Sequence, residues 1–485
     1  MAESPDTSTS SSEASFAQAL SPILVLLGLV VYGLIVRPQF LGVEALPLEM
    51  IFIPAAIIAV VMLVRQGHGW LDIQNSIVNK FMAALPAFFI LFSIGIIISS
   101  WVISGTIPML VYYGIKIVNP TYLYMLCFLV PAVFSTLTGT SYGSAGTIGV
   151  VLIGVTQAVG GDLGIAAGAI IGGAYFGDKL SPLSDSTNIA AIAADVDLFE
   201  HIHSMLYTTV PSAIIATTIY TIVGFVNPPQ IANVNLDSVA LFLQSLEDVF
   251  EFNVVLLLPA VIVLVGSVMR KPSVPTLLGS AAVASILALI FQPFSLGQLA
   301  VTLNKGFNTD MIDSSMVLAP GVAELLNRGG LYALIDAIVI AFTVFVYIGA
   351  IGHIRAMPIV VERVFRFAKT RRVTILVSLA LTAVTNAMTS NQYATSFIVG
   401  DAFKVKYDAL GINRKVLSRS IEDYGTMVES IVPWTVTALF MVATLGVPFA
   451  DYFQWQLLSL VNLIVAPVLV LLGIGMFNKQ SKQHV

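Results

Sequence analysis

Charged residues are scarce in this sequence. Asp, Glu, Lys and Arg make up 10% of its 485 residues, where a soluble chain carries about 25%. A soluble globule so thinly charged would expose large apolar patches. Cysteine is scarcer still: Cys127 stands alone, which excludes a disulfide scaffold. Bases do not outnumber acids, and a formal net charge of −5 argues against a nucleic-acid partner, which would need a basic face. Residues 1–15 contain no Lys or Arg, so no secretory signal is expected and 1–19 reads as a disordered tail. What the chain has in abundance is apolar length, with 57% hydrophobic residues and a mean hydropathy of +0.93. That excludes disorder and leaves an all-α polytopic membrane protein, with the lipid bilayer as its surroundings.

A helix crosses a bilayer in roughly 17–25 mainly apolar residues. Simple candidates are 20–36, 47–64, 84–103, 204–226, 253–269, 275–292, 329–352 and 453–474. They are continuous rather than alternating, which favours helices over barrel strands. Four further apolar stretches are interrupted. Stretch 121–158 breaks at 138–143 (TGTSYG), 163–195 at 177–186 (GDKLSPLSDS), 373–403 at 389–394 (TSNQYA) and 418–447 at 429–435 (ESIVPWT). Broken helices are tolerated at membrane depth only inside protein or beside water.

Lys and Arg orient the chain. Eleven of the 22 fall between Arg355 and Arg419, most in two clusters that flank 373–403. A re-entrant hairpin with its tip at 389–394 keeps both clusters inside. Ten crossings and two hairpins (121–158 and 373–403) follow, with the N- and C-termini cytoplasmic and the chain in the cell inner membrane. Trp70, Trp101 and Trp455, near span ends, read as interface anchors.

The sequence also repeats itself. A shift of 251 carries Thr138-Gly-Thr-Ser-Tyr142 onto Thr389-Ser-Asn-Gln-Tyr393, Asp178 onto Glu429 and Pro182 onto Pro433, and a shift of 250 carries Ile107-Pro108 onto Met357-Pro358. Five crossings between the copies would invert the second. The expected organisation is a tail (1–19), helices outside the repeat (20–83), repeat 1 (84–226), connecting loops and helices (227–328), repeat 2 (329–475) and a cytoplasmic tail (476–485). Inverted repeats with broken helices meeting near the midplane are the architecture of secondary transporters.

The breaks carry the chemistry. Half-helix ends expose N–H and C=O groups with partial charge. The hairpin tips add Thr138, Thr140 and Ser141, and Thr389 and Asn391; the broken crossings add Asp178, Ser184, Asp185 and Asn188, and Glu429 and Thr435. Oxygen ligands of this kind suit a hard cation such as Na+. A carboxylate at bilayer depth is a functional candidate by default, although Asp178 could pair with Lys179 and Asp185 could cap a helix. Asp336 reads as seven residues into a helix, either pore wall or proton group. Glu422 and Asp423 read as entrance residues or partners of nearby bases, and His201 and His203 as solvated loop residues.

The string GGAYFGDKLSPLSDSTNIAA (172–191) resembles the signature of the NhaC family of sodium/proton antiporters. SGTIPMLVYYG (104–114), LTGTSYGSAGT (137–147) and EDYGTMVESIVPWTVTALFMVATLGV (422–447) are similar to other blocks of that family. The resemblance implies Na+ at Asp178, Asp185 and Asn188, with Lys179, Ser181, Thr426, Pro433 and Trp434 in supporting places. It implies Na+ and H+ as the transported or coupling ions, no cofactor, and no enzyme activity; a homodimer is left open. Thr435 replaces the common Asn and Glu429 a common small residue, so the coupling ion or substrate could differ. Exchange of Na+ for H+ by alternating access is the leading expectation. An ion-coupled carrier of a small organic anion or amino acid, of the malate–lactate type, is the alternative.

Overall fold

The computed structural model describes residues 14–229, 236–269, 271–312, 316, 318–319, 321–365 and 368–477. The expected tails at 1–13 and 478–485, with Lys479 and Lys482, and the bases Arg270 and Arg366 lie outside the described residues. Within them the chain is helical, with no strand. Six helices are long and apolar enough to cross a membrane, or up to nine if each of three bent pairs counts as one span. Three expected spans fall below that length as single helices: Glu49–Arg65 has 17 residues, Leu457–Leu472 has 16, and 253–269 is a 3-10 turn, Val254–Leu257, followed by Leu258–Val268 of 11. The stretch 84–103 belongs to a longer helix, Trp70–Ile103.

The chain forms two compact units. One lies within 1–83 and 342–367. Its first helix, Phe16–Val30, starts at a Ser15 capping box. Pro22 has no N–H for the Gln18 carbonyl, and the Ser21 hydroxyl bonds that carbonyl instead at 3.1 Å. Tyr347 donates to Pro22 O at 3.0 Å, and Ser76 to Gly349 O at 2.8 Å.

The other unit lies within 84–341 and 368–485. At its centre Leu123–Thr138 packs along Leu163–Leu180. The backbones approach so closely that a Cβ on Gly173 would stand 2.0 Å from Phe128 O, and one on Gly177 2.3 Å from Ala132 O. Small residues permit such contact where no hydrophobic effect drives helices together. Trp101 departs from its expected place at the membrane surface. It is buried, with Nε1 donating to Ser280 Oγ at 3.0 Å, because a buried indole N–H needs a partner. Asp336 lies not seven residues into a helix but in the first turn of Ile335–His353, where it is exposed; an acid there complements the helix dipole.

Candidate functional site

Two hairpins supply the tips of the site. In the first, Leu123–Thr138 ends at Gly139 in the left-handed region (φ 70°), and Thr140 caps the next helix by accepting from Gly143 N at 3.2 Å. In the second, Arg371–Thr389 ends at Ser390 (φ 47°), and Asn391 accepts from Ala394 N at 2.8 Å. From the helix ends onward, at Thr138, Gly139, Thr140 and Gly143, these positions pair with Thr389, Ser390, Asn391 and Ala394 at a shift of 251. The N–H of Gly139 bonds Ser135 O at 2.7 Å, and that of Ser390 bonds Asn386 O at 2.7 Å. A left-handed serine is strained; here its hydroxyl accepts the backbone N–H of Val436 at 2.9 Å.

The arms close in matching places. Cys127 Sγ lies 3.8 Å from Thr156 Oγ1, and Ser378 Oγ lies 2.7 Å from Tyr407 OH. Further along the two hairpins close at positions that do not pair: Tyr124 OH accepts from Asp162 N at 2.8 Å, and Arg371 Nε donates to Leu410 O at 2.6 Å. The second arms, of 19 and 18 residues, outrun the apolar stretch because the helices take in the charged ends at Arg371, Arg372, Lys404 and Lys406.

Two broken helices face the tips. The first break is narrower than expected, at 181–184, between Leu163–Leu180 and Asp185–Ala193. Pro182 sets it by forcing Ser181 into extended geometry (ψ 128°). Asp178 and Lys179 therefore sit in a last helical turn. The second break runs through 430–435, between Met427–Glu429 and Val436–Leu445. Ser184 caps its half-helix through Thr187 N at 3.4 Å, and Thr435, 251 residues on, caps the other through Ala438 N at 3.1 Å. A threonine hydroxyl reaches each acid's carbonyl: Thr187 bonds Asp178 O at 3.2 Å, beside the Ser181 N–H that also donates there, and Thr435 bonds Glu429 O.

Around these ends lie the carboxylates. Asp178 is 8% exposed and accepts from Ser141 Oγ at 2.8 Å. Half-buried Glu429 accepts from Thr437 Oγ1 at 3.0 Å and Asn386 Nδ2 at 3.3 Å. Tyr142 OH bonds Thr437 at 2.8 Å, tying the first tip to the second break, while Tyr393 OH donates to Asp185 at 3.5 Å, tying the second tip to the first. Asp185 is exposed; the cap is Ser184. Asn188 directs its amide to Pro182 O and Ser184 O (3.0 and 2.6 Å), so it braces the break. Thr389 bonds Thr395 at 2.9 Å, Ser181 accepts from Leu183 N at 3.2 Å, and buried Thr138 keeps an unpartnered hydroxyl. Trp434, next to Pro433, donates to Ala387 O at 2.8 Å and pins the second hairpin. Among the described residues no three His, Cys, Asp or Glu side chains form a metal cage; a cation here would draw on hydroxyl and carbonyl oxygens as well.

The model of the Na+/H+ antiporter family matches residues 173–474. This chain belongs to the Na+/H+ antiporter family. It is 38% identical over 462 residues to an uncharacterized Na(+)/H(+) antiporter of Haemophilus influenzae (94% of this chain, 96% of the relative). It is 32% identical to the Na(+)/H(+) antiporter NhaC of Alkalihalophilus pseudofirmus, over 94% and 96% of the two chains. It is also 32% identical to the malate-2H(+)/Na(+)-lactate antiporter of Bacillus subtilis, over 92% and 93%. It is thus a secondary antiporter and an integral, multi-pass membrane protein, similar throughout to transporters.

Several of the antiporter's buried groups escape a sequence reading. Lys179 does not pair with Asp178. It is fully buried and bonds Asp423, which also accepts from Thr208 Oγ1 at 2.9 Å and Asn462 Nδ2 at 3.2 Å. Asp423 and Glu422 are therefore interior groups, not entrance residues, while Asp423 does meet a nearby base, with Arg419 Nε 3.9 Å away. His201 is likewise no solvated loop residue: it is buried in Leu198–Val226, with Nδ1 2.8 Å from Ser418 Oγ. His203 is exposed, as expected, but on the same helix rather than in a loop.

Proposed function

We propose that this antiporter exchanges Na+ for H+ by alternating access, with Asp178 and Glu429 as the paired carboxylates of its cation site. One observation carries the reading: each acid lies in the last turn before a break, and the caps that follow the breaks, like the caps of the hairpin tips, match pair by pair at a shift of 251. The matching supports two inverted repeats, 84–226 and 329–475, within ten crossings and two re-entrant hairpins. It also supports cytoplasmic termini in the cell inner membrane, since Arg371 at one hairpin base bonds Leu410 at the other and so gathers both basic clusters at one end.

Na+ would be held by Asp178 with hydroxyls such as Ser141, and by break carbonyls near Asp185 and Asn188. Thr138, Thr140, Ser184, Thr389, Asn391 and Thr435 shape the half-helix ends that converge there. The hard-oxygen donor set favours an alkali cation. The state of Lys179 favours it too: this base is bonded to Asp423, so a carboxylate substrate would have to break that pair to gain a counter-charge.

Exchange of a small organic anion coupled to Na+ or H+ is the second reading, favoured by the 32% identity to a malate–lactate antiporter. Purified protein in liposomes separates the two. A Na+ gradient alone should drive proton flux in the first case. In the second, flux should begin only when lactate or malate is supplied.

A further inference from the structure

Glu422 opens the π-helical turn Glu422–Thr426, and its side chain is 0% exposed. Neither of its carboxyl oxygens has a hydrogen-bond partner. The Thr426 hydroxyl, one turn on, is nearby and likewise lacks a partner in hydrogen-bond geometry. Single π-turns inside α-helices recur at functional sites. This one also presses Gly425 against Gln392, where a Cβ would stand 2.3 Å from Oε1.

Each neighbouring acid has at least one donor, although Asp423 Oδ2 has none in hydrogen-bond geometry. Asp178 has Ser141; Glu429 has Thr437 and Asn386; Asp423 has Lys179, Thr208 and Asn462. The charged groups that act on Glu422 are Lys179, Asp178 and Glu429. Lys179 is taken by Asp423, and the two acids repel a negative charge. Arg419, on the preceding helix, lies 3.9 Å from Asp423 and donates to Gly475 O. From the other packed elements, His201 faces Ser418, Tyr407 faces Ser378, Tyr393 faces Asp185, and Arg371 bonds Leu410 O. Four carboxyl groups thus share this interior with two bases, leaving it short of positive charge. A buried carboxylate with no donor beyond the nearby Thr426 hydroxyl costs several kcal/mol to ionise, and a protonated one costs far less.

We propose that Glu422 is the proton carrier of the exchange cycle, holding H+ while the cation site is empty and releasing it when Na+ enters beside Asp178 and Glu429. The inference rests on the Na+/H+ reading. In the step, the Glu422 O–H bond breaks, the proton leaves with water to the open side, and the carboxylate left behind is balanced by the arriving Na+. No electron transfer is involved.

The test uses the full-length protein in liposomes, with Na+ as the probe. Glu422→Gln, a permanent mimic of the protonated acid, should retain exchange of radioactive Na+ for Na+ but lose Na+-driven proton flux roughly tenfold or more. Glu422→Asp should restore that flux with a displaced pH profile. Infrared difference spectra of the wild type should show a protonated carboxyl band that Na+ removes and that Glu422→Gln lacks. This measurement stands even if the Gln variant does not fold. A wild type without a Na+-sensitive carboxyl band overturns the proposal, as does a Gln variant with unchanged proton flux. Normal wild-type exchange beside an unaffected Gln variant would remove only the role of Glu422. A wild type that moves no protons against Na+ removes the exchange reading and this one together.

Discussion

Ser184 and Thr435 do the same work 251 residues apart: each hydroxyl caps the half-helix that restarts after a break, through the backbone N–H three residues on, at 3.4 and 3.1 Å. Each break follows a turn that carries a carboxylate, Asp178 in one copy and Glu429 in the other. What recurs at a shift of 251 is therefore a backbone problem and its solution, more than side-chain identity.

The hairpins make a topological prediction. Single cysteines placed in 369–372 and 404–406 should both label from the cytoplasmic side, because Arg371 at one base bonds Leu410 at the other. Cysteines in 116–120 and 160–162 should label from outside, where Tyr124 meets Asp162. Labelling of 369–372 and 404–406 from opposite faces would sink both the hairpin and the inversion.

Asp178→Asn should abolish Na+-dependent proton flux while the protein still inserts and runs as a single species. The amide keeps the hydrogen bond to Ser141 but not the charge that attracts a cation. Asp185→Asn should reduce the flux without removing it, since Asp185 is exposed and its Tyr393 contact is long, at 3.5 Å. A pH dye in proteoliposomes reads both; full flux in the Asp178 variant would leave that residue a structural brace.

Glu429→Gln should displace the pH profile of transport and keep the displacement at high salt. Asp178 and Glu429 are the paired carboxylates of the proposed site, and coupled acids share their titration; Glu429 is half-buried with two donors. If it only drew cations toward an aqueous vestibule, added salt would screen the effect away. Transport measured against pH at low and high ionic strength decides between the two.

Lys179→Met should destabilise the fold by about 3–5 kcal/mol, because it strands a buried Asp423. Adding Asp423→Leu should recover much of that loss, since an apolar pair can replace a buried ion pair. Thermal unfolding in detergent measures both variants. A Met variant as stable as the wild type would show that the buried pair contributes little.

How far the sequence reveals this molecule depends on the range of the interaction. The hairpin tips and breaks are legible because Gly139, Thr140, Pro182, Ser184 and Asn391 are local signals that end or start a helix. The matching of Asp178 to Glu429 is legible because it needs only counting. The partner of Lys179 is not, since Asp423 lies 244 residues away and no spacing rule reaches that far. Glu422 and Asp423 read as entrance residues or partners of nearby bases because Arg414, Lys415 and Arg419 precede them; only packing shows that the helix turns its acids inward. His201 misleads in the same way, sitting among Asp195, Asp197 and Glu200 while its ring points to Ser418.

The pairing of Cys127 with Thr156 has a practical consequence. Its counterpart in the second half of the chain is Ser378 facing Tyr407, so the fold already places a serine beside a hydroxyl at this position. Cys127→Ser writes the second copy's solution into the first. Because Cys127 is the chain's sole thiol, that one exchange yields a thiol-free background whose local chemistry the protein has, in effect, already tried.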